Sequence, residues 1–189
     1  MTADTLSPED WGALALVLLG FALLCSLPAW TATGRRIWAP VTLVVLGGAA
    51  VVAAAPDHVT VDGSAVTALL VGMGGALAIA GGGPLTALVF DLVDRREPPM
   101  ESMERAGQVL RGGAWIGAFE RVAIFATLVA GWPEGLAIVL ALKGLGRYPE
   151  LRAAEDGVRT GAAERFIIGT FTSVLWACAC AGVVALLLR

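Results

Sequence analysis

The sequence predicts an all-α membrane protein, a bundle of about six transmembrane helices. Of its 189 residues, 57% are hydrophobic and 15% are charged, whereas a typical soluble domain has about 25% charged residues. The apolar residues also gather in long runs, and about 20 of them in helical form cross the hydrocarbon core of a bilayer. We therefore interpret the whole chain, residues 1–189, as a single transmembrane domain.

Six apolar runs predict the individual helices. They cover residues 9–30, 37–55, 64–93, 112–132, 134–148 and 164–188. The third run is long and contains Gly81-Gly82-Gly83-Pro84. Because proline lacks an N–H and glycine weakens a helix, this segment is expected to kink or break the third helix near residues 81–84.

The basic residues predict the orientation of the bundle. Eleven of the thirteen fall in or beside alternate connections, which places them on one side of the membrane. They are Arg35, Arg36, Arg95, Arg96, Arg105, Arg111, Lys143, Arg147, Arg152, Arg159 and Arg165. Since cytoplasmic loops carry the excess of Lys and Arg, this side is expected to be cytoplasmic and both termini are expected to lie outside.

A row of small residues on the third helix predicts close helix packing. Gly74, Ala78 and Gly82 recur at intervals of four residues, a spacing that lets helix backbones approach closely in lipid. The row fits packing within one chain or a seam with a second copy or a partner subunit. Unwound glycines in the 81–83 segment would instead expose backbone carbonyls to an ion or substrate, as in broken transporter helices.

Charged residues within the last three helices form the strongest functional signal. Glu120, Arg121, Lys143, Arg147 and Glu164 are expected to converge, because these helices follow one another with short connections. An unpaired charge near the centre of a span costs about 2.5–3.5 kcal/mol, so pairing is expected. The predicted pairs are Glu120 with Lys143 and Glu164 with Arg147. Arg121 points about 100° away from Glu120 on the helix and is expected to extend toward the inner headgroups.

This cluster has three interpretations. It is an ion-pair lock between helices, a cytoplasm-facing pocket for an anion or lipid headgroup, or a proton or ion relay built on Glu120. Thr170 and Ser173 on the last helix, with Gly82 and Gly83 on the third, are candidate pocket-lining residues. The hydroxyls can also bond back to their own helix.

Three blocks on the last helices resemble a family of uncharacterised bacterial multi-spanning inner-membrane proteins. The blocks are Trp115-Ile116-Gly117…Glu120-Arg121, Ala141-Leu142-Lys143…Arg147-Tyr148 and Glu164-Arg165-Phe166-Ile167-Ile168-Gly169-Thr170. The resemblance covers residues 112–176. It implies a multi-pass protein of the bacterial inner membrane whose charged residues act as one unit, and it implies no activity.

Other function classes lack a signal. The single histidine, His58, lies in a predicted outer loop, and no spacing suggests a metal site, a cofactor or a phosphate-binding loop. No basic face suggests nucleic acid, and no catalytic residue is assigned, although Glu120 or Glu164 could serve an enzyme as acid or base. The sequence therefore favours binding or transport of an anionic solute or lipid headgroup within membrane lipid. The alternative is a structural or accessory subunit whose charges lock the helices.

Overall fold

The computed structural model describes residues 8–54, 63–96, 113–153 and 156–189, which form six α-helices and no strand. The helices are α1 (Pro8–Ser26), α2 (Ala32–Ala53), α3 (Ser64–Arg96), α4 (Gly113–Val129), α5 (Glu134–Ala153) and α6 (Asp156–Leu187). A short 3-10 helix, Pro28–Trp30, joins α1 to α2. The predicted all-α class is confirmed.

Four helices of the described chain are long and apolar enough to cross a membrane. They are Asp10–Trp30, Ala32–Ala53, Ser64–Asp94 and Ala163–Leu187. The other two helices, α4 and α5, are not among these four, each for its own reason. With 17 residues, α4 rises only about 26 Å against a hydrocarbon core of about 30 Å, and α5 carries Lys143 and Arg147 among its apolar residues. All six predicted helices are present, and the four apolar ones make this a membrane protein.

Several helices extend beyond their predicted bounds. Helix α2 begins at Ala32 because Thr31 caps it, its Oγ1 accepting a hydrogen bond of 3.0 Å from the Gly34 N–H. Arg35 therefore lies within the helix and not in a loop. At the same end of the bundle, α5 continues through Pro149, and α6 begins at Asp156 instead of residue 164. The predicted inner loop between α3 and α4 lies, over residues 97–112, outside the described residues.

Five of the six helices share one apolar core, and α5 lies outside it. Buried members of the core include Leu19 of α1, Leu46 of α2, Leu77 of α3, Phe125 of α4 and Val184 of α6. Helix α5 packs against α4 and makes only a slight contact with α6. Most of its side chains are exposed, and only a narrow stripe that includes Gly135, Lys143 and Arg147 faces the bundle. This stripe places two cations against the other helices.

Helix α3 is continuous through the glycine-rich segment, so the predicted break at residues 81–84 is wrong. The glycines make room for large side chains from other helices. A Cβ atom would collide with Trp176 at Gly81 and with Arg121 and Trp176 at Gly82, and at Gly83 it would lie only 3.0 Å from Trp30. Glycine is therefore required here by close packing, and the helix does not unwind.

Pro84 is tolerated inside α3 because another residue replaces its missing donor. The Ala80 carbonyl would normally accept a hydrogen bond from the N–H of residue 84, which proline lacks. Instead, Trp30 Nε1 donates to the Ala80 carbonyl oxygen at 3.0 Å. This satisfies the freed carbonyl, as neighbouring helices do around prolines in membrane proteins.

The row of small residues packs inside the chain. A Cβ atom at Gly74 would collide with Val184 of α6 and would lie 3.1 Å from the Phe125 ring of α4, and Ala78 is fully buried. Gly82 lies against Arg121 and Trp176. The row thus brings α3 close to α4 and α6, while a seam with a second chain stays a prediction.

We predict that Gly81→Ala destabilises the protein by about 1–3 kcal/mol, because overpacking forces neighbouring groups to shift. The ring that must shift belongs to Trp176, whose Nε1 also donates to the Leu77 carbonyl at 3.2 Å. The matched control is Gly72→Ala on the same helix, where a Cβ atom meets nothing within 4 Å. This control is expected to be neutral or to gain up to about 1 kcal/mol from helix propensity. Thermal unfolding in detergent measures both, and equal effects would contradict the packing role of Gly81.

Candidate functional site

Glu120 of α4 forms an ion pair with Lys143 of α5, the pairing that the sequence predicts. Both side chains are mostly buried, at 12% and 14% exposure. Lys143 Nζ also lies 5.9 Å from the centre of the Phe166 ring on α6, within cation–π range. This pair links α5, which lacks core contacts, to the rest of the bundle.

Arg121 is buried between three helices, so the prediction that it extends toward headgroups is wrong. Only 4% of the residue is exposed. Its Nη1 donates to Ser173 Oγ of α6 and its Nη2 to the Ile79 carbonyl of α3, both at 3.2 Å. Gly82 and Gly117 leave the space that the side chain fills, since a Cβ atom at Gly117 would lie 3.1 Å from Nη1. The glycines let the guanidinium turn inward.

The predicted pair between Glu164 and Arg147 is not formed. Glu164 is exposed on α6, and its neighbour Arg165 faces the bundle instead. Arg165 pairs with Asp94 of α3 at 2.7 Å and lies 5.2 Å from the centre of the Phe90 ring. Adjacent helical residues point about 100° apart, so only one of the two can face α3.

A further ion pair was missed by the sequence reasoning. Arg35 of α2 pairs with Asp91 of α3 at 3.0 Å. Asp91 and Asp94 lie three residues apart, which places them on one face of α3. That spacing, at the end of the bundle where the basic residues gather, is the signal that could have predicted both pairs.

A cavity of about 420 Å³ lies at this same end of the bundle, and five of the α-helices contribute to it or to its entrance. The cationic residues that line it are Arg35, Arg121, Lys143, Arg147 and Arg165, and Glu120 is the single carboxylate of the lining. Thr170, Ser173 and Gly83 also line it, as predicted, whereas Gly82 lies behind Arg121 and Glu164 faces away. The cavity is within the range of small-molecule sites, about 300–1,000 Å³.

The rest of the lining is largely apolar. It is formed by Ala29, Trp30, Pro84, Ala87, Phe90, Ala114, Ile116 and Phe166, together with small residues. A concave apolar wall with a few convergent polar groups is the usual character of a ligand site. The lining includes no histidine or cysteine, and within the described ranges no three His, Cys, Asp or Glu side chains come together as they would to hold a metal.

Four buried polar atoms have no hydrogen-bond partner among the described residues, and all four belong to residues of this cavity. They are Arg35 Nε, Arg121 Nε, Arg165 Nε and Thr170 Oγ1. Buried polar atoms are nearly always paired, so each exception calls for an explanation. Three are N–H donors and the fourth is a hydroxyl, so all four can donate a hydrogen bond.

No protein-family model, curated protein or solved structure matches this chain. The resemblance of residues 112–176 to bacterial inner-membrane proteins therefore stays a prediction.

We predict that the Glu120–Lys143 pair couples α4 to α5 energetically. Lys143→Met leaves a mostly buried carboxylate without its cation and is expected to cost about 3–5 kcal/mol. The double variant Glu120→Gln with Lys143→Met is expected to lose less than the sum of the single variants, with a coupling of about 1–2 kcal/mol. The measurement is a double-mutant cycle: thermal unfolding in detergent of the wild type, the two single variants and the double variant. Additive losses would mean that the two side chains do not depend on each other.

Proposed function

We propose that this protein binds an anionic solute or an anionic lipid headgroup in the cavity, as the binding step of a small membrane transporter. The observation that carries the proposal is the coincidence of cations and unpartnered donors in one cavity. Five cationic side chains and one carboxylate line it, and all four unpartnered buried polar atoms of the described chain belong to its residues.

Arg121 supports an anion more directly than the paired cations do. Arg35, Arg165 and Lys143 each face a carboxylate, whereas the hydrogen-bond partners of Arg121 are a hydroxyl and a carbonyl. Neither partner carries a charge, so burial of this guanidinium is not offset by a bonded anion. A bound anion beside it would supply that charge, and guanidinium groups suit carboxylate and phosphate oxygens.

The position of the cavity fits a membrane-facing role. It lies where α1 and α3 end and α4 and α6 begin, the end that carries most of the basic residues. On the positive-inside rule, this end faces the cytoplasm and both termini lie outside, in the bacterial inner membrane. The cavity would then exchange its ligand with the cytoplasm or the inner leaflet.

The alternative function is a structural or accessory subunit, which a separate observation favours. Three ion pairs join α2 to α3, α3 to α6 and α4 to α5. Pairs in this arrangement could serve only to hold the helices together while another surface binds a partner. Under the first function the unpartnered groups of the cavity bind a ligand, and under the alternative they bind none.

Two probes distinguish a soluble anion from a headgroup. Calorimetric titration of sulfate into the protein in phosphatidylcholine nanodiscs tests a soluble anion. Native mass spectrometry after exchange into nanodiscs that contain phosphatidylglycerol tests an anionic headgroup. Retention of phosphatidylglycerol without sulfate binding assigns the cavity to lipid, and the absence of both favours the structural alternative.

We predict that Thr170→Val weakens ligand binding about tenfold while the protein stays as stable as the wild type. A hydrogen bond to a charged group contributes about 1.5–3 kcal/mol, and removing an unpartnered buried hydroxyl costs the fold nothing. Titration of sulfate, or of phosphatidylglycerol if that is the ligand, measures the change.

The matched control is Thr172→Val, two residues away on α6. Thr172 Oγ1 donates to the Ile168 carbonyl of its own helix at 2.8 Å and does not line the cavity. It is expected to leave affinity unchanged. Equal affinity of the wild type and the Thr170→Val variant would contradict a ligand at this hydroxyl.

A further inference from the structure

The cavity has a mouth and a deep end. Its mouth lies at the end of the bundle where Arg165 of α6 pairs with Asp94 of α3. Ser173 lies eight residues beyond Arg165 on α6, about 12 Å farther along the helix. Because Ser173 accepts a hydrogen bond from Arg121 Nη1, the guanidinium lies at the deep end.

The charges of the deep end sum to one positive unit. Arg121, Lys143 and Glu120 line it, which gives two cations and one carboxylate. The carboxylate pairs with Lys143, whereas Arg121 bonds to neutral groups. One negative charge beside Arg121 balances this end, while a dianion such as sulfate leaves an excess charge, which is costly in a buried site.

The cations of the mouth are engaged within the chain. Arg35 and Arg165 are neutralised by Asp91 and Asp94. Arg147 of α5 also has an interaction with other residues of the protein. The acid group of a ligand is therefore expected at the deep end.

Thr170 adds a hydrogen-bond donor beside the guanidinium. It lies three residues before Ser173, so the two residues share one face of α6. Thr170 Oγ1 and Arg121 Nε are both buried and have no hydrogen-bond partner among the described residues. One acid group can accept hydrogen bonds from the hydroxyl and from the guanidinium.

The lining between the deep end and the mouth is apolar. Ala87 and Phe90 of α3 and Phe166 of α6 form it. Thr86 also lies there, but its hydroxyl already donates to the Gly82 carbonyl at 2.8 Å. A ligand that reaches from the deep end toward the mouth therefore meets apolar surface along its length.

We propose that the ligand is an organic anion with one negative charge and an apolar chain. Its acid group lies beside Arg121 and Thr170, and its chain lies along Ala87 and Phe90 toward the mouth. This inference rests on the proposed function and narrows its ligand to one chemical class.

The test is calorimetric titration of acetate, butanoate and hexanoate into the protein in phosphatidylcholine nanodiscs, with empty nanodiscs as the blank. Affinity is expected to rise about fourfold for each added methylene, because each one is buried against the apolar lining. Hexanoate is expected to bind at least about tenfold more tightly than sulfate for the same reason. It is also expected to bind at least about tenfold more tightly than hexan-1-ol, which carries no charge.

Two variants separate the acid group from the chain. Ala87→Leu fills the apolar part of the cavity, so it is expected to reduce the gain in affinity per methylene. Thr170→Val is expected to weaken all three acids by the same factor and to leave the gain per methylene unchanged. The matched control for the first is Ala68→Leu, an exposed position on α3 outside the cavity, which is expected to behave as the wild type.

The outcomes distinguish this inference from the proposed function. Equal affinity for acetate and hexanoate overturns the apolar chain and leaves an anion site in place, as does binding of sulfate or phosphatidylglycerol without binding of the acids. A gain per methylene that is unchanged in Ala87→Leu also overturns it. Absence of binding by the acids, sulfate and phosphatidylglycerol overturns both. The wild-type series decides the question even if Ala87→Leu does not fold.

A soluble organic acid and an anionic lipid share this chemistry, and one further titration distinguishes them. Hexanoate is titrated again in nanodiscs that contain phosphatidylglycerol. A loss of hexanoate affinity assigns the site to the lipid, whose phosphate and acyl chains then occupy it. Unchanged affinity assigns the site to a soluble acid.

Discussion

The buried guanidinium of Arg121 is the constraint on which the arrangement of the bundle depends. A cation inside an apolar bundle must have its donors satisfied, or the fold loses several kcal/mol. Arg121 meets part of this requirement by bonding to α6 through Ser173 and to α3 through the Ile79 carbonyl, while its Nε has no partner among the described residues. These bonds require α3 and α6 to approach α4 closely, which explains the absence of a side chain at Gly82 and Gly117. Arg121 and Trp176 thus occupy the space that a side chain at Gly82 would fill.

The cavity has a second origin, the position of α5 outside the apolar core. Helix α5 contributes nothing to the apolar core and is joined to it chiefly through α4. Its inward stripe carries Lys143 and Arg147 opposite Glu120, so the space between α5 and the core is lined by long charged side chains. Such side chains do not pack as densely as branched apolar ones. The charges and the cavity therefore have a common origin in a helix that the core does not bury.

Predictions about which residues form helices were confirmed more often than predictions about which residues on different helices contact each other. The Glu120–Lys143 pair could be predicted because the two residues lie on consecutive helices that form a hairpin. The Glu164–Arg147 pair was wrong because it required the rotation of α6, which local sequence does not determine, and the structure turns Arg165 inward instead. The break at residues 81–84 was wrong for a similar reason. Gly and Pro weaken an isolated helix, but here Trp30 supplies the missing donor from elsewhere in the chain.

The sequence by itself determined the helical class, the approximate positions of the six helices and the membrane setting. Each of these depends on how long and how apolar a segment is, and not on which other segments it contacts. It also indicated that charges would gather at one end of the last three helices. Only the tertiary structure decided which charges face each other and that Arg121 is buried. Those outcomes depend on how each helix is rotated about its axis and on the distance of α3 from α4 and α6. Both are fixed by contacts between residues far apart in the chain.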